Sequence, residues 1–66
     1  MFAEYDCFRL RRPFANESIQ VGTIGVVLII LSYVPPAYEV EFPDGGGGNL
    51  GSKITFTIDE SYMEPM

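Results

Sequence analysis

The stretch Val21–Leu31, VGTIGVVLIIL, is the one long apolar run in a chain of 66 residues, and any fold must be built around it. Its valines, isoleucines and threonine favour extended backbone over helix, so it reads as a central strand. From Val26 to Leu31 both alternating sets of side chains are apolar, the pattern of a strand covered on both sides. Strict alternation assigns Ile24, Val26, Leu28 and Ile30 to the core. Val27, Ile29 and Leu31 then form a second apolar face that needs a separate cover. Gly22 and Gly25 mark places where the backbone bends sharply or another strand comes very close. The apolar part from Ile24 to Leu31 is far short of the ~20 residues needed to cross a bilayer, so no membrane span is expected.

The other segments supply strands of a more ordinary kind. Tyr5 to Arg11 has Phe8 and Leu10 on one side and Arg9 and Arg11 on the other, and Arg12-Pro13 ends it. Phe14 to Gln20 reads as a loop. After the turn Ser32 to Pro36, Tyr38, Val40 and Phe42 alternate with Glu39 and Glu41, giving a strand with one wet face. Ile54, Phe56 and Ile58 alternate likewise with Lys53, Thr55 and Thr57, so these two strands make an antiparallel hairpin around the glycines from Gly45 to Gly51. Asp59 to Tyr62 suits one short helical turn with Asp59 as its cap, and Met63 to Met66 a last short strand or a tail. The expectation is a single all-β domain over residues 1–66, a five-stranded SH3-like barrel built as an antiparallel meander with a glycine-rich hairpin tip.

Charge and cysteine content narrow the functional classes. The formal net charge is −5, and all of it arises after Tyr33, where Lys53 stands against Glu39, Glu41, Asp44, Asp59, Glu60 and Glu64. Such a surface repels phosphate backbones, making nucleic acid an unfavoured partner and a basic protein a favoured one. Cys7 is the sole cysteine and histidine is absent, so internal disulfides and imidazole chemistry are excluded. Self-association remains as a staple for so small a core. The opening residues lack the pattern of a secretory signal, which with the single thiol sets the expectation of a cytoplasmic protein.

The blocks DCFRL, VGTIGVVL, AYEVEF and ITFTIDESYMEP, taken in this order, resemble a family of short bacterial proteins known as domain of unknown function 4926. The most specific pieces are Gly22-Thr23-Ile24-Gly25-Val26-Val27 and Ala37 to Phe42. The resemblance covers nearly the whole chain. It implies an SH3-like barrel and no established activity, with toxin-like partners encoded beside some members. The Leu28–Leu31 extension and the Pro35-Pro36 turn depart from the family pattern.

Few residues suggest chemistry. Gly46-Gly47-Gly48-Asn49-Leu50-Gly51 matches G-x-G-x-x-G in form, but a strand follows where a helix must open, so the segment reads as a mobile hairpin tip, the alternative being a loop that a partner would order. Cys7 has no activating neighbour and reads as a buried, inert thiol. Glu39 and Glu41 read as solvated charges, and a chain of this size leaves little room for a substrate cleft of ~300 Å³. No catalytic, cofactor-binding or metal-binding residue is expected. Arg9, Arg11 and Arg12 could form a basic patch with Phe14 beside it, or pair with Glu39 or Glu41 across the sheet.

Two functions follow. The first is a small acidic protein-interaction module, an antitoxin or immunity protein in kind, that binds a basic partner protein through Val27, Ile29, Leu31, Glu39 and Glu41; a homo-oligomer is compatible with it. The alternative is a nucleic-acid-binding barrel of the ribosome-associated type, using the three arginines.

Overall fold

A computed structural model describes residues 1–14, 19–43 and 55–66. They form strands β1 (Cys7–Leu10), β2 (Ile24–Tyr33), β3 (Pro36–Glu41) and β4 (Thr55–Asp59), a 3-10 turn (Glu60–Tyr62) and strand β5 (Met63–Pro65). All pairings are antiparallel. The glycine hairpin tip lies outside the described residues.

The order across the sheet is β4-β3-β2-β1-β5. Strands β1 to β4 form the expected meander, but β5 returns to the side of β1, and the sheet is not closed into the expected SH3-like barrel. Chain geometry accounts for both features. Asp59 ends one edge strand and Met63 begins the other, four positions later. Four residues reach at most about 14 Å, whereas a flat sheet of five strands is about 19 Å wide. The sheet must therefore curl until its edges approach at this corner. There the 3-10 turn stands in place of a ladder, and its cap is the predicted one: the Asp59 carboxylate accepts a hydrogen bond from the Ser61 N–H at 2.9 Å. The same bonds to Ser61, with its hydroxyl first, hold the Asp59 carboxyl below its usual pKa.

Inside the curl lies one core of Phe2, Phe8, Leu10, Ile19, Val27, Tyr38, Val40, Phe42, Ile58 and Met63. The alternations read from β1, β3 and β4 hold: Phe8 and Leu10, Tyr38 and Val40, and Ile58 are buried. Edge-to-face contacts link Tyr38 to Phe2, Phe2 to Phe8, and Phe8 to Phe42. Phe56 and Phe14 continue the series to Tyr62. The buried hydroxyl of Tyr38 accepts from the Phe2 N–H at 3.0 Å and donates to Glu60, whose carboxylate lies 3.1 Å from the amino group of Met1. Burial and the neighbouring Glu60 charge raise the Tyr38 pKa against the opposing Phe2 bond, so this hydroxyl keeps its proton.

Two glycines in the central run have distinct roles. Gly22 adopts φ +96° at the third position of the turn Gln20–Thr23, a backbone region that side chains disfavour. Gly25 is opposite Phe8, and a Cβ there would meet the Phe8 ring at 2.4 Å and the Phe42 ring at 2.9 Å. Tyr5 also has positive φ, at 68°, where its N–H reaches the Val27 carbonyl and β1 begins.

The alternation expected for β2 is wrong. Val26 faces Glu41 and Val27 faces Val40, but the register shifts between Val27 and Ile29 and again between Ile30 and Ser32. Each shift adds one residue to β2, so the strand places Gly25, Val27 and Ile30 inward at spacings of two and three. Ile24, Val26 and Leu28, expected in the core, are only half-buried. Val27, expected on the second face, is fully buried. Strand β2 also runs two residues past Leu31, and the turn to β3 tightens to Val34-Pro35 around a cis peptide bond. Among the described residues no helix is long and apolar enough to cross a membrane.

Candidate functional site

The sheet has one covered face and one open face, and the open face carries the candidate site. Its centre is the outward side of β2. Ile29 is 51% exposed and Leu31 50%, with half-buried Val26 and Leu28 completing an apolar ridge. Bulges are what bring these residues out: Leu28 and Ile29 share the space opposite Glu39, and Leu31 and Ser32 that opposite Ala37. At the tip of the hairpin, beyond the ridge, Tyr33 and Val34 are exposed as well.

On one side of the ridge, β3 presents Glu39 and Glu41. Glu39 faces Ile29 and Glu41 faces Val26. The Glu39 carboxylate accepts hydrogen bonds from Thr57 at 2.9 Å and from Thr55, two residues of the neighbouring strand β4. It is thereby oriented, with the acid fixed on the outer surface beside the ridge. On the other side, β1 presents Cys7 beside Val26 and Arg9 beside Ile24.

Four of the five residues predicted as an interface therefore share one surface, namely Ile29, Leu31, Glu39 and Glu41. Val27 does not belong to it, because the register that buries Gly25 against Phe8 buries Val27 on the same side. Val26, Leu28 and Arg9 do belong, and sequence reasoning had not placed them there. Among the described residues neither β5 nor Phe14 covers this face: β5 lies at the sheet edge, and Phe14 packs on Phe56 and Tyr62.

The arginines do not pair with Glu39 or Glu41. Strand β2 stands between β1 and β3, separating their backbones by about 10 Å. The one salt bridge among the described residues joins Met1 and Glu60. Arg12 instead stacks over the Tyr62 ring at 4.5 Å and donates to the Ser61 hydroxyl. Among the described residues Arg9 and Arg11 of the expected basic patch make no such contact.

Cys7 is exposed, contrary to the expectation of a buried thiol, because Phe8 beside it takes the inward position. Contrary to the expected lack of room, a concavity of about 600 Å³ lies beside the N-terminal residues, lined by Met1, Phe2, Cys7, Arg11, Glu60 and Met63 among others. Among the described residues no buried side-chain polar atom lacks a hydrogen-bond partner, and no group of three His, Cys, Asp or Glu is placed to hold a metal ion. No buried side-chain polar atom of the concavity's lining is therefore left unpaired. Compared with known proteins, the chain matches no family model, no curated protein and no solved structure.

Proposed function

We propose that the protein is a small interaction module that binds a partner protein through the open face of its sheet. The observation that carries this reading is the apolar ridge of β2, turned to solvent by two bulges and bordered by the oriented carboxylate of Glu39. Small domains seldom expose contiguous apolar side chains without a binding role. The matching partner presents an apolar ridge with basic groups beside it. A basic target of an antitoxin or immunity protein has that description, a kind of partner to which the resemblance to domain of unknown function 4926 points, and the single cysteine favours a cytoplasmic setting. The strand order and the 3-10 turn before β5 support reading the open sheet as a variant of an SH3-like barrel.

A photo-crosslinking residue placed at Leu31 tests the function in cells. It should trap a defined protein, and Ile29→Asp should abolish the product. Absence of any product at Leu31, with the chain folded and expressed, would remove the proposal.

A further inference from the structure

The ladder between β1 and β2 is shorter than β2. It runs from Thr23 to Val27, where the Tyr5 N–H donates to the Val27 carbonyl and the Val27 N–H to the Asp6 carbonyl. There the chain leaves the strand: Tyr5 turns it at φ 68°, and Phe2 beyond is buried in the core. Strand β2 continues to Tyr33 with β3 on one side only. Among the described residues no strand pairs with Leu28–Tyr33 on the other side, so the β2–β3 hairpin carries a free edge.

Such an edge offers a row of backbone donors and acceptors, and natural edges are blunted by brevity, proline or charge. Edge strand β5 has three residues, two of which are Glu64 and Pro65. Leu28–Tyr33 has bulges but neither proline nor charge, and its exposed side chains Ile29, Leu31 and Tyr33 alternate with half-buried Ile30 and Ser32. Apolar side chains beside open backbone groups suit an added strand. A helix would cover those groups without pairing them.

We propose that the occupant of this edge is an extended, basic segment of a partner protein, which adds as a strand beside Leu28–Tyr33 where β1 leaves off. The proposal rests on the interaction reading above and names the partner's conformation and charge. The added strand stands about 4.8 Å from β2, with alternate side chains beside Ile29, Leu31 and Tyr33 on the open face. Charge narrows its composition. Exposed Glu4 and Asp6 stand where the chain leaves β2, and Glu39 lies across Ile29 on the other side. Arg9 is farther along β1 and opposite Glu64, so its charge is balanced there. The complementary segment therefore carries Lys or Arg among its outward side chains.

Photo-crosslinking residues placed singly at Ile29, Leu31 and Tyr33 in cells, with the linked residues mapped by mass spectrometry, test this. All three should link to one partner segment, at sites that advance by about two residues from probe to probe, and that segment should carry basic residues. Glu4→Lys combined with Glu39→Lys should lower the yield by about threefold or more with an unchanged circular dichroism spectrum. Sites that advance by about three or four residues identify a helix and overturn the proposal. Sites scattered over several segments overturn it too, as do links into a second copy of the chain. An unchanged yield from the charge-reversed chain overturns the basic composition. In each of these cases a product at Leu31 retains the interaction face. No product from any of the three probes, with the chain folded and expressed, removes that reading and the added strand together, so the two failures are told apart.

Discussion

Val27 and Ile29 are two residues apart in one strand, yet the first is fully buried and the second about half exposed. In a regular strand they would share a face. The start of β2 is tied to β1 by Phe8 over Gly25, which commits Gly25 and Val27 to the inside. Its end is tied to β3, where Tyr38 and Val40 take the inside and Glu39 the outside. Eight residues of β2, Val26 to Tyr33, answer six of β3, Pro36 to Glu41, and two bulges absorb the difference. The first half of the strand therefore builds the core. The second half, apart from Ile30, presents its apolar side chains to solvent, which costs solubility without adding core, and this contrast locates the functional face.

Substitutions at the two ends should differ in size by several kcal/mol. The largest effect is expected from Phe8→Ala, which removes the ring seated on Gly25 and should cost about 3–5 kcal/mol in urea unfolding. A domain of this length has only about 3–10 kcal/mol in total, so a large unfolded population would result. Retention of wild-type stability would detach the first half of β2 from the core.

Gly25→Ala comes next. Its Cβ must displace two aromatic rings, with an expected loss of about 1–3 kcal/mol and altered ring packing visible in near-ultraviolet dichroism. An unchanged or raised melting temperature would show that β1 and β2 are not held as closely as described.

The corner that curls the sheet gives a pH test. Asp59→Ala should cost about 1 kcal/mol at neutral pH through loss of the cap. The folded state holds the Asp59 carboxyl below its usual pKa, so unfolded chains bind its proton first as pH falls. Its contribution is complete above an unfolded pKa of about 3.9 and is lost as pH drops through the lower folded value. The gap between wild type and variant should therefore close in acid; a gap that persists undiminished there would deny that the ionised carboxylate is the cap.

The smallest effects belong to the open face. Ile29→Thr and Leu31→Thr should change the stability of a single copy by no more than about 0.5 kcal/mol, measured at concentrations too low for association. Losses comparable to those of Phe8→Ala would place these residues in the core and erase the contrast.

Much of this fold was legible, and the exceptions are physical. Tyr38, Val40 and Ile58 alternate cleanly with polar residues, so their burial could be read directly. The Asp59 cap and the short β5 followed from turn chemistry and the chain end. Strand β2 misled because every residue from Val26 to Leu31 is apolar, leaving alternation without a polar residue to mark the outside. One signal was present: a glycine reserved for close approach must face the strand that approaches, so Gly25 inside implies Val27 inside. The bulges had no such signature, since they follow from matching β2 to two neighbours at once. Barrel closure failed because it depends on the path of the corner between β4 and β5, which alternation does not encode.

The most direct test of the contrast is the accessibility of the methyl groups of Val27, Ile29 and Leu31 to a soluble paramagnetic agent, followed by NMR on dilution to single copies. Val27 should be protected at every concentration, whereas Ile29 and Leu31 should broaden strongly in the dilute, monomeric chain. Equal protection of all three in the monomer, or exposure of Val27 alongside the other two, would contradict the account.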